Sequence, residues 1–389
     1  MPFASALSNR PSLAAAIEET SLTIAASLGG VAPDLAFVFA SHHYASRFAV
    51  LAAQLKQALG AKLLLGCTGE TVVGDERECE DGPALSVWCA VLPGATLEPF
   101  ELSFEQTPDG TLCTGLPEDL AEGRLETRAV FLLGEPFTSS PQSVIDLVND
   151  ELPGVPLLGG MASGGGPGVN RLFLNDRLLE RGAIGVVLRG GPRVTSIVSQ
   201  GCRPIGMPFI VTKAERNVIF ELGGVTPLQR LQTLYPELPK RDRELVERGV
   251  HLGVVMNEYQ DSFHRGDFLI VNVHGADRHS GALATGGIMR VGQTVQFHIR
   301  DAETADEDLR QLLERHCRAG SSSRGALLFS CNGRGSRMFS DPNHDALAIQ
   351  QCLGPMPLAG FFAQGELGPV GNKNYIHGFT ASVALFEDA

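Results

Sequence analysis

The segment ALLFSCNGRGSRMF, from Ala326 to Phe339, contains the pattern that decides the predicted fold. An apolar run with the length of a buried strand ends in Ser330–Asn332, and two glycines then bracket Arg334. A helix is predicted at Asp345–Leu353, and a second apolar run, MPLAGFFAQGE, extends from Met356 to Glu366. A strand, a helix and a second strand in this order predict a right-handed parallel crossover.

The same order of elements occurs three times along the chain. Each copy is predicted as strand, helix, strand, glycine-rich turn and strand, and the third copy ends in GFTASVALF, Gly378–Phe386. The tetrapeptide P-L-[LA]-G occurs at Pro156–Gly159 and again at Pro357–Gly360, which favours an origin by duplication. The predicted strands of the first two copies are LAFVFAS (Leu35–Ser41), LLLGCTGE (Leu63–Glu70), ALSVWCAVL (Ala84–Leu92), AVFLLGEP (Ala129–Pro136), VPLLGGMASGG (Val155–Gly165) and AIGVVLRG (Ala183–Gly190). The other predicted helices are Pro11–Leu28, Ala45–Leu59, Pro141–Asn149 and Ala305–Cys317.

These repeated strand-helix-strand-strand units predict an α/β fold in two halves, with mixed sheets and helices on their faces. The stretch 193–300 is rich in strand-like runs and contains one short helix, Pro227–Leu234. The turn GGVTP, Gly223–Pro227, comes directly before that helix, and we place the domain boundary there. The expected domains are therefore residues 1–222 and 223–389.

Composition excludes several classes of partner. The 389 residues include 31 Lys and Arg and 44 Asp and Glu, which gives a formal net charge of −13. This balance disfavours nucleic acid, because phosphate contacts need clustered basic residues. No stretch suits a spanning helix and no secretory signal is visible, so we expect no membrane partner and a cytoplasmic protein. Eight scattered cysteines are typical of reduced cytosolic thiols.

No cofactor or metal site is predicted. The sequence contains neither a P-loop nor a GxGxxG loop between a strand and a helix. The ten histidines include no HExxH pattern, and His274 with His279 lacks the further ligands that a metal needs.

The strongest candidate site is the loop after the first strand of the third copy. Backbone amides freed by glycine at a strand end form a concave anion site, and the fork of Arg334 or Arg337 matches a carboxylate. If the two strands of the crossover are parallel neighbours, Glu366 lies at the same rim. The alternatives are solvated arginines in a tight turn, or a structural pair between Arg334 and Glu366. The predicted ligand-binding residues are Cys331, Asn332, Gly333, Arg334, Gly335, Arg337, Gln364, Gly365, Glu366 and Asn272.

The other two copies have equivalent rims. The first carries Cys67, Thr68 and Glu70, and the second carries Ser163. The dipeptide Gly-Glu occurs at the end of a predicted strand in both the first and the third copy, as Gly69-Glu70 and Gly365-Glu366. Both glutamates are therefore candidates. The sequence leaves open whether the N-terminal residues share in the site.

These segments carry a family resemblance. LLFSCNGRGSRMF, MPLAGFFAQGELGPV, GFTASVALF and the earlier run DFLIVNVHGAD resemble the C-terminal domain of FIST proteins. LAFVFAS, LLLGCTGE, VPLLGGMASGG and GVTPLQRLQTLYP resemble the N-terminal FIST domain and its junction. The resemblance spans the chain from about Ser27 to its end, and it implies a sensory module that binds small ligands such as amino acids. Because no signalling segment is visible outside the two domains, we expect the output partner to be a separate protein.

The leading hypothesis is a cytoplasmic sensor of an amino acid or a related carboxylated metabolite. Arg334 or Arg337 would bind the ligand's carboxylate, and Glu366 would bind its ammonium group. Asn332 and Asn272 would supply neutral hydrogen bonds.

Two other functions compete with this hypothesis. One is a cysteine-dependent enzyme acting on a small metabolite, with Cys331 as nucleophile and His344 or His377 as base. The other is an interaction scaffold in which the glycine-rich loops only build the fold.

Overall fold

The structure is a computed structural model, and it describes residues 2–108, 110–118, 120–121, 124–260, 262–264 and 266–388. The chain forms two compact units, one of Met1–Ser199 with Leu309–Ala389 and one of Gln200–Asp308. This division differs from the division of the sequence into 1–222 and 223–389. The third copy belongs to the same unit as the first two, and the strand-rich stretch between the copies forms a unit of its own.

The described residues contain strands and helices throughout both units. The strands are β1 (Phe3–Ser8), β2 (Leu35–Ser41), β3 (Leu63–Gly69), β4 (Val72–Gly74), β5 (Arg77–Cys79), β6 (Leu85–Ala90), β7 (Ala95–Thr107), β8 (Gly110–Thr114), β9 (Thr127–Gly134), β10 (Leu157–Met161), β11 (Leu172–Leu174), β12 (Arg177–Leu179), β13 (Ala183–Gly190), β14 (Arg193–Ser199), β15 (Cys202–Glu215), β16 (Val218–Leu222), β17 (Val250–Val255), β18 (Phe268–Ala276), β19 (Leu283–Thr285), β20 (Thr294–Arg300), β21 (Ser323–Cys331), β22 (Leu358–Ala363), β23 (Glu366–Val370), β24 (Lys373–His377) and β25 (Ala381–Glu387). The helices are α1 (Leu13–Ser27), α2 (Phe48–Leu59), α3 (Pro141–Glu151), α4 (Pro227–Leu234), α5 (Lys240–Arg248), α6 (Ala302–Arg318) and α7 (His344–Leu353), with short 3-10 turns at His42–Arg47, Tyr235–Glu237 and Gly335–Arg337.

The first unit contains three mixed sheets, one for each copy of the repeat. In each sheet one parallel pair comes from the predicted crossover: β2 with β3, β9 with β10, and β21 with β22. The helices α2, α3 and α7 connect these pairs, and an antiparallel closing strand, β6, β13 or β25, lies beside the first strand. The α/β fold and the three predicted first strands, Leu35–Ser41, Ala129–Gly134 and Ala326–Ser330, are therefore confirmed, and all three are buried.

The glycine-rich turn of each copy contains a short hairpin, which the sequence analysis missed. Each hairpin leaves its own sheet and adds to the edge of another. The hairpin β4–β5 extends the sheet of the third copy, β11–β12 extends that of the first, and β23–β24 extends that of the second. The exchange closes a cycle in which every copy donates one hairpin and receives one. The three copies therefore fold as one unit.

The three hairpins share one feature of sequence. In each, a two-residue loop begins with a residue in the left-handed region: Asp75 (φ 53°), Asn175 (φ 56°) and Gly371 (φ 62°). Asp, Asn and Gly are the residues that adopt this conformation at least cost, and two-residue loops join antiparallel strands tightly.

The main core lies where the three sheets face one another. Phe39 of the first sheet stacks on Phe361 of the third at 5.1 Å between ring centroids. Phe37 lies 5.4 Å from Phe131 of the second sheet, and Phe131 stacks in turn on Phe386 at 5.8 Å. Alternate residues of these strands point to the opposite face and pack with helices, as the two-residue period of a strand requires.

The second unit is a closed sheet of six strands in the order β15-β16-β19-β18-β17-β20. Its interior is apolar and includes Val211, Leu252 and Phe297. The helix α4 begins as predicted at Pro227, after Thr226, whose side-chain hydroxyl accepts a hydrogen bond from the amide of Gln229 at 3.4 Å. Among the described residues of the whole chain, no helix is long and apolar enough to cross a membrane.

Candidate functional site

The ends of the second crossover strands of the three copies meet at one rim of the first unit. The Ser163 hydroxyl accepts a hydrogen bond from the Glu70 amide at 2.8 Å and donates one to the carbonyl of Phe362. The amide of Gln364 donates to the carbonyl of Met161 at 3.0 Å. The N-terminal half therefore contributes residues to this rim.

The loop Asn332–Arg337 leaves this rim and turns back tightly. Its first residue remains tied to the sheet, because the amide of Asn332 donates to the carbonyl of Ala363 at 3.1 Å. Gly335 has a φ of +60°, and a Cβ there would lie 2.7 Å from the Phe362 ring. Glycine is therefore required at this position by both the backbone conformation and the close approach.

The loop holds a carboxylate. The amide of Ser336 donates to Glu80 Oε1 at 2.8 Å, and the Ser336 hydroxyl donates to Glu80 Oε2. The carboxylate approaches so closely that a Cβ on Gly335 would lie 2.8 Å from Glu80 Oε1. The amide and hydroxyl of Ser336, with the space that Gly335 leaves by having no side chain, form a carboxylate-binding surface. The side chain of Glu80, from the first copy, occupies this surface.

A second carboxylate is bound by the next residue. Arg337 Nη2 pairs with Glu70, and Arg337 Nη1 donates to the carbonyl of Asn332 at 2.8 Å. The hydrogen bond that Arg337 donates to Glu70 and the negative charge of Glu70 raise the pKa of Arg337. The Arg337 side chain is 56% exposed and that of Glu70 33%, so a small molecule in solution has access to this pair.

Arg334 lies in the core, so it is not one of the solvated arginines that the sequence analysis considered. Its Nε and Nη2 donate to the two oxygens of Asp345, each at 2.7 Å, and both side chains are at most 1% exposed. The Ser330 hydroxyl donates to the same carboxylate at 2.7 Å. The structural partner of Arg334 is therefore Asp345, and not Glu366 as the alternative interpretation had it.

Glu366 is a buried carboxyl beside this ion pair. Burial raises its pKa to about 8, although the Thr380 hydroxyl and amide, at 2.7 and 3.2 Å, favour the ionised form. Glu78, on β5, is similar: burial and the nearby Asp345 raise its pKa to about 8. Both groups therefore hold a proton at neutral pH.

The Cys331 thiol has a raised pKa, whereas an activated nucleophilic thiol has a lowered one. Burial raises its pKa to about 12, and the charge of Glu366 adds to this effect. The two histidines considered as bases engage other groups: His344 Nδ1 lies 2.9 Å from Asp345 Oδ1, and His377 Nε2 donates to the Gly368 carbonyl at 2.9 Å. The geometry gives the cysteine-dependent mechanism no support.

Three buried polar atoms, two in the loop and one at the start of β23, have no hydrogen-bond partner in the described part of the chain: Asn332 Oδ1, Arg334 Nη1 and Glu366 Oε1. Buried polar atoms are almost always hydrogen-bonded, so water or ligand groups are their expected partners. Arg334 Nη1 is a donor and Asn332 Oδ1 is an acceptor, whereas the Glu366 carboxyl accepts at both oxygens only after it loses its proton.

The remaining predicted residues are distributed as follows. Gln364 is exposed at the rim, and the Gly365 carbonyl accepts from the Met161 amide at 2.9 Å. Cys67 is fully buried within β3, where burial holds its pKa well above the usual value. Asn272 belongs to the second unit, where it pairs with His251 across β17 and β18.

The structure adds residues that sequence reasoning missed. They are Ser336 and Glu80, which bind each other, and Asp345, which pairs with Arg334. Glu80 lies in a charged segment that resembles an ordinary surface loop. The cysteines are free thiols, and no group of three or more His, Cys, Asp or Glu side chains in the described residues could hold a metal ion.

Comparison with known proteins identifies the family. A profile of the FIST N domain matches residues 34–225, and a profile of the FIST C domain matches residues 227–369. The chain belongs to the FIST family. FIST domains are generally sensory domains of signal transduction.

Two mycobacterial relatives extend this FIST assignment along the chain. An uncharacterized protein of Mycobacterium bovis is 43% identical over 363 residues, which cover 93% of this chain and 92% of the relative. An uncharacterized protein of Mycobacterium tuberculosis strain H37Rv is 42% identical over 384 residues, which cover 98% of each. Both relatives therefore align with this chain over most of its length and over most of their own.

Proposed function

We propose that this FIST protein is a cytoplasmic sensor that binds an amino acid or a related carboxylated metabolite at the loop Asn332–Arg337. The observation that carries the proposal is the capture of the Glu80 carboxylate by the amide and hydroxyl of Ser336. A surface that binds the carboxylate of a side chain offers the same donors to the carboxylate of a ligand.

A ligand can displace the internal carboxylates at low cost. Ion pairs between exposed side chains contribute only about 0–1 kcal/mol, because water screens the charges and long side chains lose freedom. The exposed pair of Arg337 with Glu70 is of this type. A ligand that brings additional contacts therefore competes successfully.

The buried groups beneath the loop suit the other end of an amino acid. Asn332 Oδ1 is an acceptor without a partner in the described residues, Glu366 becomes a full acceptor when it loses its proton, and an ammonium group has three donors to offer. Because Glu366 holds a proton at neutral pH, binding an ammonium group there releases that proton. The output partner stays a predicted separate protein.

The test is a thermal-shift screen of free amino acids, organic acids and nucleotides against the wild type and two variants. Arg337→Ala removes the exposed guanidinium of the site. Arg177→Ala is the matched control, because Arg177 also forms an exposed ion pair, with Glu101, and is 61% exposed.

We expect at least one carboxylated compound to raise the melting temperature of the wild type and of Arg177→Ala. The same compound should have little effect on Arg337→Ala. Shifts from nucleotides alone, or equal carboxylate shifts in all three proteins, would remove the loop from the proposal.

A further inference from the structure

Two consecutive residues of the loop each bind a separate carboxylate. Ser336 holds Glu80 through its amide, at 2.8 Å, and its hydroxyl. Arg337 holds Glu70 through its guanidinium. Both glutamates come from the first copy, on either side of the exchanged hairpin β4–β5.

We propose that the ligand is a dicarboxylate, and that its two carboxylates replace those of Glu70 and Glu80 on Arg337 and Ser336. The inference rests on the proposed function, because it names the ligand class of the same site.

The hydrogen-bond donors of the loop support two carboxylates rather than one. Arg334 is neutralised by Asp345 in the core, so Arg337 is the charged group that the loop presents at the surface. A ligand with one carboxylate displaces one glutamate and leaves the other in place. A ligand with two carboxylates replaces both, so that the same donors remain satisfied after the exchange.

The two subsites are also chemically distinct. The Ser336 subsite donates one amide and one hydroxyl hydrogen and carries no charge, whereas the Arg337 subsite is cationic. Removal of Arg337 should therefore abolish the second contact while leaving the first. This difference separates the contribution of each carboxylate.

The glutamates themselves act as competing internal ligands in this scheme. Glu70→Gln with Glu80→Gln keeps the size of both side chains and removes both negative charges. The double variant should therefore bind the dicarboxylate more tightly than the wild type does, since competition and repulsion are both reduced.

The experiment is isothermal titration calorimetry with malonate, succinate and glutarate, and with butyrate as the matched monocarboxylate. The proteins are the wild type, Arg337→Ala, Ser336→Ala, the double Gln variant and the Arg177→Ala control. Thermal melting of each variant without ligand verifies that it is folded.

We expect one of the three dicarboxylates to bind the wild type at least tenfold more tightly than butyrate. Arg337→Ala should reduce this preference to less than threefold, and the double Gln variant should bind the dicarboxylate at least threefold more tightly. Butyrate binding as tightly as every dicarboxylate would overturn the inference and leave the proposed function standing. Binding of no carboxylate of either kind, amino acids included, would overturn both.

Discussion

Arg334 and Asp345 form a bidentate ion pair in the core of the first unit, with Nε to Oδ2 and Nη2 to Oδ1 both at 2.7 Å. Arg334 lies in the loop after β21, and Asp345 lies in the first turn of α7. The pair therefore fastens the candidate ligand loop to the helix of the same crossover. It is a structural pair, and the exposed residues Ser336 and Arg337 carry the proposed binding.

Replacing Arg334 with alanine should destabilise the fold even without ligand. Removal of Arg334 leaves the buried Asp345 charge without its arginine, and breaking a buried ion pair in this way costs about 3–5 kcal/mol. Urea denaturation checks this result, with Arg177→Ala as the control for loss of an exposed arginine. An unchanged unfolding midpoint for Arg334→Ala would contradict the structural role.

The contribution of Glu366 and Glu78 to the stability of the protein should fall as the pH rises from about 5 to about 8. Glu366 and Glu78 have folded pKa values raised to about 8, so the folded state retains protons that the unfolded state has released in this range. Each such group lowers the free energy of unfolding by up to about 1.4 kcal/mol per pH unit.

Glu366→Gln tests the direction of this pH dependence, because glutamine keeps the shape of the protonated carboxyl but cannot ionise. Relative to the wild type, the variant should gain stability between pH 5 and pH 8, measured by chemical denaturation at each pH. Parallel pH profiles for the two proteins would show that Glu366 is ionised in the folded state.

Replacing Gly335 with alanine should cost more than the same change at Gly371. Both glycines have a φ near +60°, at +60° and +62°, and a non-glycine residue there costs about 1 kcal/mol. A Cβ at Gly371 would meet no atom within 4 Å, whereas one at Gly335 would lie 2.7 Å from Phe362 and 2.8 Å from Glu80. Each substitution lowers the free energy of unfolding, and the difference between the two losses measures the cost of the close approach at Gly335. Equal losses would show that the close approach costs nothing.

The exchange of hairpins should depend on Asn374. This buried residue of β24 binds across to the second copy: its Oδ1 accepts from the Leu157 amide at 2.8 Å, and its Nδ2 donates to the Val155 carbonyl at 2.9 Å. Asn374→Ala leaves the Leu157 amide without its acceptor, at a cost of about 1–3 kcal/mol. Denaturation should show this loss, while Asn372→Ala, in the hairpin turn, should show almost none.

The sequence predicted the parallel pairs well because their strands are continuous apolar runs that end in glycine. Leu327 pairs in register with Ala359, as the crossover required. The hairpins were missed for a physical reason: β4 and β5 are three residues each, include charged side chains, and pair with a strand from another copy. Pairing between residues so distant in sequence leaves no local pattern.

The glycines and arginines of the sequence predicted the position of the candidate loop. They did not predict which of the two arginines is buried and which is exposed. A charged residue between glycines reads as exposed, and the burial of Arg334 becomes apparent only once Asp345 is seen beside it. Glu80 lies 256 residues from Ser336 in the sequence, so their contact exists only in the folded unit.

The most direct test of the account is a crystal structure of the protein with the tightest-binding carboxylate from the calorimetric series. The account predicts a ligand carboxylate within hydrogen-bonding distance of the Ser336 amide and hydroxyl, with the Glu80 side chain displaced. A ligand bound elsewhere, with Glu80 still on Ser336, would contradict it.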